Sequence, residues 1–415
     1  MMREREYGKE RKKERKKERK RERKREREIM LSLIWHPRNL LHMCKWFVYL
    51  LASHVLSWWW KGEEETFHPE AKDREEKEES QRALEGRIHK YQQKQQPQLQ
   101  QQPQKYSSLV TGASSGLGYA IAKQLARQGY HVVLLCRTEA KARRTLKELK
   151  EDVPEAGARL ECFVADLCEP SDVLEFLRKL KESKTRRPPM KVVVNNAGVF
   201  TRGISYTSKY RLEETFSSNL FGHYLVMKEI SSLLSATKGT LVFISSFSHR
   251  AVTSSTFKLW LENVCQRKDS KTRFPLYPAH AYSCTKLAMV MISRILNQSS
   301  GQSFTYLCLD PGAVDTKITR HWPTLLSVVY STIMGRRMFR LFNDPDKVAL
   351  GLLRAVHQQD KKKKKSSLEE SHCCYLFGEK AVPLGTSDLS KDTALALQLL
   401  ASMEKIKDTV INLSK

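Results

Sequence analysis

The sequence predicts an α/β fold: one doubly wound parallel sheet with helices on both faces, preceded by a hydrophobic anchor segment. Two observations from residue 106 onward carry this prediction. Short, nearly continuous apolar runs alternate with longer stretches of helical periodicity, which is typical of βαβ units whose strands are covered on both sides. A glycine-rich turn also joins the first apolar run to the first helical stretch.

Six apolar runs are the predicted strands, and helical patterns separate them. The strands are predicted at 107–111, 131–136, 160–165, 191–195, 240–245 and 303–309. The helices are predicted at 117–129, 139–151, 171–182, 219–235 and 280–298. A closing strand is predicted at 373–378 and an amphipathic helix at 393–407, with the lysine run 361–365 as a solvated loop.

The chain divides into four segments by composition. They are a charged low-complexity tail (1–28), a hydrophobic membrane-anchor segment (29–60), a polar Gln/Pro-rich linker (61–105) and the α/β domain (106–415). Within the anchor segment, the window 40–60 is long enough to cross a bilayer and ends on three tryptophans that suit an interface. Because it also holds a lysine and two histidines, a helix lying in the interface or packed on the protein is the alternative.

Charge and cysteine content limit the classes of function. The formal net charge of +27 raises nucleic acid as a partner. The chain shows no aromatic-interleaved basic stripe and no zinc-finger spacing, so we expect basic surfaces and charged tails without nucleic-acid binding, and no metal site. The nine cysteines form no CxxC pair, which favours reduced thiols packed in the core.

The glycine-rich turn TGASSGLG at 111–118 predicts a dinucleotide site on a Rossmann-type fold. Glycines there permit a tight turn and close approach of the backbone to a pyrophosphate. The N-terminus of the following helix supplies amide donors and a positive dipole. The contacts predicted from this turn are Gly112, Ser114, Ser115, Gly116, Leu117 and Gly118.

Two further positions bear on the choice of cofactor. After the second strand, where an acidic residue would bind the ribose of NAD, the chain has Arg137. A guanidinium group can pair with a 2′-phosphate through two hydrogen bonds, so we predict NADP(H) in preference to NAD(H). Asp166 follows the third strand and is predicted either to accept a hydrogen bond from adenine or to cap a helix.

More motifs follow in order along the chain. They are NNAG at 195–198, Asn219 in SNLFGH, Ser246 in ISS, YSCTK at 282–286 and the Pro311-Gly312 pair after the sixth strand. With the glycine-rich turn and Asp166, this set resembles the short-chain dehydrogenase/reductase family over 106–415, which is then expected to be the catalytic domain. Within the family the chain is most similar to the membrane-associated retinol-dehydrogenase-like group and the chromosome-X-type dehydrogenase/reductases.

The resemblance implies hydride transfer between nicotinamide and an alcohol or carbonyl, with Tyr282 as general acid/base. Tyr282 and Lys286 lie four apart on one helix face, where an ammonium group would lower the tyrosine pKa from about 10. Lys286 would also donate to the nicotinamide ribose, Ser246 would bind the substrate oxygen, and Asn219 would hold a water that connects Lys286 to solvent. The remaining implied cofactor contacts are Asn195, Ala197, Gly198, Pro311, Gly312 and Thr316.

Two apolar stretches favour a lipophilic substrate such as a retinoid, a sterol, an isoprenoid alcohol or a fatty aldehyde. They are 257–261, which is either pocket lining or a surface loop, and 322–342, which either covers the substrate or lies on a membrane surface. The resemblance adds the endoplasmic reticulum membrane as the expected location and a homodimer as the expected assembly. The alternative function is a non-catalytic nicotinamide-binding scaffold or sensor of the same fold, and a third is nucleic-acid binding through the basic tail.

Overall fold

The computed structural model describes residues 105–183, 187–201, 203–266, 278–299, 304–314, 343–364 and 375–414. The charged tail, the anchor segment and the linker lie outside these residues, as do Thr316 and the apolar stretch 322–342. Within the described part, no helix has the length and apolar character needed to cross a bilayer.

One eight-stranded sheet forms the centre of the molecule. Its strands are β1 (Ser107–Thr111), β2 (His131–Cys136), β3 (Leu160–Val164), β4 (Met190–Asn195), β5 (Thr240–Ile244), β6 (Thr305–Asp310), β7 (Tyr375–Phe377) and β8 (Val382–Pro383). Their spatial order is β3-β2-β1-β4-β5-β6-β7-β8. All neighbouring pairs from β3 to β7 are parallel, which confirms the predicted fold class.

The edge strand β8 departs from the prediction because it runs antiparallel to β7. The connection between the two strands is a tight reversal in which Gly378 and Ala381 both adopt positive φ. So short a link can join only antiparallel strands, since a parallel crossover needs a dozen residues or more.

Eight helices accompany the strands in the described residues. They are α1 (Gly116–Arg127), α2 (Glu139–Asp152), α3 (Pro170–Glu182), α4 (Gly222–Thr237), α5 (Ser254–Gln266), α6 (Pro278–Gln298), α7 (Pro345–Lys364) and α8 (Thr393–Ser414). A helical turn at Glu214–Phe216 and a π-helical turn at Ser217–Phe221 lead directly into α4. Short 3₁₀ helices lie at Pro154–Arg159, Phe247–Ala251 and Asp388–Lys391.

The sheet separates two hydrophobic clusters. Helices α1, α2 and α7 pack on one face, and α3, α4, α5, α6 and α8 pack on the other. Neighbouring residues of a strand point to opposite clusters, as Leu109 and Val110 do in β1, and both are fully buried. Burial of both faces explains why the strands are continuous apolar runs rather than alternating ones.

Two expectations about irregular segments were wrong. The lysine run was predicted as a loop, but α7 continues through Lys364. The stretch 257–261 is not a surface loop. It lies in α5, where Phe257, Trp260 and Leu261 are buried in the core and the Trp260 ring meets the Phe216 ring edge-on at 5.9 Å.

Candidate active site

The order of the strands reverses between β1 and β4, which are neighbours in the sheet although β2 and β3 lie between them in the chain. In open parallel sheets, ligands bind beyond the carboxyl ends of the strands at such a switch point. The glycine-rich turn follows β1 and the NNAG motif follows β4. The fold therefore brings these two motifs together at the expected place for a ligand.

The glycine-rich turn is built so that only glycine fits at two positions. Gly112 has φ of +65°, and a Cβ there would lie 2.9 Å from the Cα of Ala197. A Cβ on Gly118 would lie 2.4 Å from the carbonyl oxygen of Gly112. These contacts hold the turn against both the NNAG backbone and the first turn of α1, which is the close packing that a pyrophosphate-binding turn needs.

The start of α1 offers donors for an anion. Ser115 is the N-cap residue, and its side chain makes no capping hydrogen bond, so the first-turn amides have no acceptor within the helix. Leu117 is only 4% exposed and packs in the core, so its contact with a cofactor would be through the backbone. Arg137 is exposed at the end of β2, and Arg144 from α2 donates to the carbonyl of Ser114 at 3.4 Å. The residues present therefore fit a dinucleotide with an additional phosphate.

Of the other predicted cofactor contacts, Asp166 is engaged within the protein and the side chain of Asn195 is not. Asp166 accepts a hydrogen bond from the amide of Cys168 at 3.0 Å, which closes a turn ahead of α3. Helix α3 itself begins at Pro170, after Glu169 as its N-cap residue, so Asp166 is not the helix cap. Asn195 is fully buried, and neither polar atom of its side-chain amide has a hydrogen-bond partner. Ala197 and Gly198 lie nearer the surface.

Tyr282 and Lys286 lie on α6 with the side chains together. The ammonium nitrogen of Lys286 is 5.4 Å from the centroid of the Tyr282 ring. On its other side the Tyr282 ring meets Phe200 at 5.2 Å between centroids. Phe200 lies two residues after the NNAG motif. The fold therefore places an aromatic side chain against the phenol that the sequence analysis did not anticipate.

Lys286 is held in a buried position at the end of β5. It is 3% exposed, and its ammonium donates to the carbonyl of Ile244 at 2.7 Å. A Cβ built on Gly198 would lie 3.7 Å from this nitrogen, so the lysine lies beside the NNAG turn. Burial lowers the pKa of Lys286 to about 8, while Cys308 and Asp310 act in the opposite direction. The side chain therefore remains mainly protonated at neutral pH.

Asn219 fixes the NNAG segment. Its side-chain oxygen accepts from the amide of Val199 at 2.7 Å, and its side-chain nitrogen donates to the carbonyl of Val199 at 2.9 Å. Asn219 lies in the π-helical turn before α4, a feature frequent at functional sites. Its side-chain amide thus binds both backbone polar groups of Val199.

Ser246 lies beyond β5 and caps the 3₁₀ helix Phe247–Ala251. Its hydroxyl accepts from the amide of Ser248 at 3.3 Å. The preceding Ser245 is buried and donates to the carbonyl of Lys286 at 3.0 Å, which ties the serine segment to α6. The fold therefore brings Asn219, Ser246, Tyr282 and Lys286 to one edge of the sheet, with Pro311 and Gly312 after the adjacent β6.

Sequence reasoning missed a buried histidine that joins two parts of this site. His223 is fully buried; its Nε2 lies 2.9 Å from the hydroxyl of Thr111 and its Nδ1 lies 2.8 Å from the carbonyl of Asn219. Because that carbonyl can only accept, Nδ1 carries the proton and Nε2 accepts from Thr111. Burial lowers the pKa of His223 to about 4, so the ring is neutral.

Thr111 completes this network at the end of β1. Its hydroxyl oxygen accepts from the amides of Asn196 and Ala197 at 2.9 and 3.0 Å. One hydroxyl thus connects β1, the NNAG turn and, through His223, the π-helical turn of Asn219. The partners are far apart in sequence, so no local pattern could have revealed the network.

The match to a protein family covers the first half of this fold. The short chain dehydrogenase family matches residues 107–255. Human polyprenol dehydrogenase is 29% identical over 58% of this chain and 69% of its own length. Mouse retinol dehydrogenase 14 is 29% identical over 56% of this chain and 66% of its own length. A WW domain-containing oxidoreductase from Pongo abelii is 31% identical, over 52% of this chain and 50% of its own length.

Comparison with solved structures agrees on the fold. The crystal structure of an uncharacterised protein from Mycobacterium paratuberculosis covers 73% of this chain and 93% of its own, with a TM-score of 0.50 and 21% identity. The glycine-rich turn, the strand order and the family match all lead to one assignment. Residues 107–255 match the short chain dehydrogenase family, and the chain resembles the retinol-dehydrogenase-like oxidoreductases of that family.

Proposed function

We propose that the protein is an NADP(H)-dependent dehydrogenase or reductase that interconverts a lipophilic alcohol and its carbonyl, with Tyr282 as the general acid/base. One observation carries the proposal: the phenol of Tyr282 and the buried ammonium of Lys286 lie together beside Gly198, at the switch point of the sheet. A proton donor and a fixed positive charge at this place are what alcohol–carbonyl chemistry on a nicotinamide requires.

The cofactor assignment rests on the anion-binding features of the site. The open amides at the start of α1 and the glycine-rich turn would hold the pyrophosphate. Arg137, exposed at the end of β2 in place of a carboxylate, would pair with a 2′-phosphate. When bound, the nicotinamide would supply or accept the hydride. Gly198, Lys286, Pro311, Gly312 and Thr316 would surround its ribose and ring.

The side chains of this chain would handle the proton and the substrate oxygen. Tyr282 would take the hydroxyl proton in oxidation and return one in reduction, while the Lys286 charge favours the ionised phenol over the neutral one. Ser246 would donate a hydrogen bond to the substrate oxygen and orient it toward Tyr282. Asn219, fixed by Val199, would hold a water that passes protons between Lys286 and solvent.

A lipophilic substrate is the class favoured by the surroundings of Tyr282. The Phe200 ring packs against the phenol, and Phe247 follows Ser246 directly with its ring 6.0 Å from that of Phe377. Aromatic walls of this kind suit a retinoid or isoprenoid chain. The names of the relatives, polyprenol dehydrogenase and retinol dehydrogenase, point to the same class, and with it to a membrane location such as the endoplasmic reticulum.

The decisive test is turnover of retinol and a polyprenol with NADP⁺, and of the matching aldehydes with NADPH, by wild type and Tyr282→Phe. Removing one hydroxyl should leave NADPH affinity within about twofold but lower kcat by at least about 10²-fold, the usual contribution of a general acid/base. Tyr306→Phe is the matched control, because Tyr306 is buried at the opposite end of β6. Near-normal turnover by Tyr282→Phe would rule out the assignment. A protein that binds NADPH but turns over none of these substrates would favour the sensor alternative.

The cofactor preference has its own test. Arg137→Ala should lower kcat/KM for NADPH about 10- to 100-fold, because a charge-assisted hydrogen bond contributes about 1.5–3 kcal/mol, and should leave kcat/KM for NADH nearly unchanged. Arg143→Ala on the outer face of α2 is the control, since Arg143 pairs with Glu139 at 3.1 Å. Equal losses with both cofactors would place Arg137 outside the phosphate site.

A further inference from the structure

A buried acidic residue lies directly before the Pro311-Gly312 turn. Asp310, the last residue of β6, is 1% exposed, and one of its carboxylate oxygens accepts from the amide of Gly312 at 2.9 Å. The other accepts from the hydroxyl of Tyr375 at 3.0 Å. Burying a carboxylate costs free energy because the charge is removed from water. A functional role would account for a buried carboxylate directly before the proposed nicotinamide turn.

The groups around Asp310 also reach Ser246. His249 is fully buried, and its ring meets that of Tyr375 edge-on at 5.0 Å. Its Nδ1 lies 2.8 Å from the carbonyl of Ser246, so this nitrogen donates and the neutral ring holds the serine segment. The same buried cluster therefore supports the two turns that flank the proposed nicotinamide end, one after β5 and one after β6.

The carboxylate is also the negative charge near Lys286. The ammonium of Lys286 binds the carbonyl of Ile244, and Ile244 pairs with Leu309, the neighbour of Asp310 in the chain. Asp310 raises the pKa of Lys286, and Lys286 in turn lowers that of Asp310. The Asp310 carboxylate thus stabilises the Lys286 ammonium, and the ammonium stabilises the carboxylate, beside the ends of β5 and β6.

Burial of Asp310 nevertheless prevails over its partners. Burial raises the pKa of Asp310 to about 6, against the Gly312 amide, the Tyr375 hydroxyl, Arg250 and Lys286, all of which lower it. The titratable and charged groups that face this carboxylate from the surrounding elements are Lys286, Arg250, His249, Tyr375 and Cys308. Of these, His249 stays neutral because burial lowers its pKa to about 3.

We propose that Asp310, held by Tyr375, is the buried counter-charge of Lys286 and a positioning residue of the active site, so that turnover requires Asp310 to be ionised. The proposal rests on the function proposed above. Protonation of Asp310 below about pH 6 would weaken the acceptor that holds the Gly312 amide, while Lys286 stays protonated at that pH; loss of the charge in Asp310→Asn would act on Lys286 on the alkaline side. The expected result is an acidic limb in the rate profile that belongs neither to Tyr282 nor to the substrate.

Two variants separate the charge from the hydrogen bond. Asp310→Asn removes the charge and keeps an acceptor for Gly312, whereas Tyr375→Phe keeps the carboxylate and removes its hydroxyl partner. Tyr224→Phe is the control, because it removes a tyrosine–carboxylate hydrogen bond of 2.6 Å to Glu404, between α4 and α8.

The first measurement is kcat/KM for retinol and a polyprenol with NADP⁺ from about pH 5 to about pH 10. Wild type should lose activity below about pH 6. Asp310→Asn should lack this limb, be about tenfold slower at about pH 8, and lose activity on the alkaline side about one pH unit earlier, since an opposite charge nearby shifts a pKa by about that much. Tyr375→Phe should move the acidic limb to higher pH, and Tyr224→Phe should match wild type.

The second measurement needs no activity. Asp310 is ionised in the unfolded chain above about pH 4 but in the folded protein only above about pH 6, so its burial costs stability at higher pH. Asp310→Asn should therefore have a higher Tm than wild type at about pH 8, a smaller advantage at about pH 5, and the same Tm only below about pH 4. A variant with this Tm pattern but a wild-type rate profile would make Asp310 merely structural and overturn the proposal, as would a Tm difference that does not vary with pH.

The two proposals fail in different ways. If wild type turns over no alcohol or aldehyde, the proposed function is wrong, while the Tm comparison still reports on the ionisation of Asp310. The pH dependence of NADPH affinity, measured on the same variants, then replaces the rate profile. A profile that is identical for wild type and Asp310→Asn would refute the role of the counter-charge.

Discussion

Replacement of Thr111 by valine tests whether one hydroxyl holds the cofactor turn to the Asn219 segment. Valine has nearly the shape of threonine, so the substitution removes the hydroxyl and little else. That hydroxyl is the acceptor for the amides of Asn196 and Ala197 and the donor to the ring of His223. All of these groups lie behind the glycine-rich turn, where water has little access.

The expected cost follows from counting the groups left without a partner. The Asn196 amide keeps the carbonyl of Val194 at 3.1 Å, whereas the Ala197 amide and the His223 Nε2 lose their partner. A buried polar group without a partner costs about 1–3 kcal/mol, so two of them lower the free energy of unfolding by about 2–6 kcal/mol. Removing a buried hydroxyl offsets part of this loss, and we expect about 3 kcal/mol.

Urea unfolding measures the loss, and Thr111→Ser is the matched control because it keeps the hydroxyl and removes only a methyl group, at a cost of about 1 kcal/mol. Affinity for NADPH should fall with Thr111→Val more than with Thr111→Ser, since the Ala197 amide belongs to the turn beside the glycines. Equal stabilities of the two variants would mean that the hydroxyl does not hold the network.

Two further predictions concern stability. Burial lowers the pKa of His223 to about 4 in the folded protein, whereas in the unfolded chain the ring binds a proton below about pH 6.5. Stability is therefore lost as the pH falls through this range. At about pH 5 this lowers the free energy of unfolding by about 2 kcal/mol. Urea unfolding at about pH 7 and about pH 5 should therefore show a smaller decrease in this free energy for His223→Gln than for wild type. An equal decrease would contradict the assigned neutral ring. Asn297 matches a glycosylation tripeptide, but its amide binds both the carbonyl and the amide of Tyr306, at 2.7 and 2.9 Å. Asn297→Ala should therefore lose about 1–3 kcal/mol of unfolding free energy, and a glycan detected on Asn297 by mass spectrometry would show that these bonds are not kept.

The central strands were predictable because they are buried on both faces. β1 and β2 lie at the predicted residues, since their apolar runs are bounded by polar residues or glycine on both sides. Helix α5 could have been recognised as well, because Phe257, Trp260, Leu261 and Val264 follow helical spacing and all face the core. The stretch was instead expected to be either pocket lining or a surface loop.

Only the site residues that belong to local sequence motifs could be predicted. The glycine-rich turn and the Tyr282–Lys286 pair carry their chemistry in local spacing, so the sequence identifies them. His223 and Asp310 do not, because their roles depend on Thr111 and Tyr375, which lie 112 and 65 positions away. Neither residue type is informative by itself: a histidine in a helix and an aspartate at a strand end each have many ordinary roles.

Helix α8 limits how two copies of the chain could associate. Its apolar side, with Leu399, Met403 and Ile406, is buried against the cluster that contains α4 and α6, and its Glu404 binds Tyr224 and Lys228 of α4. This covering leaves those parts of α4 and α6 inaccessible to another molecule. A symmetric dimer would have to form through other surfaces or first displace α8. Displacement of α8 would expose the apolar side chains that it covers to water.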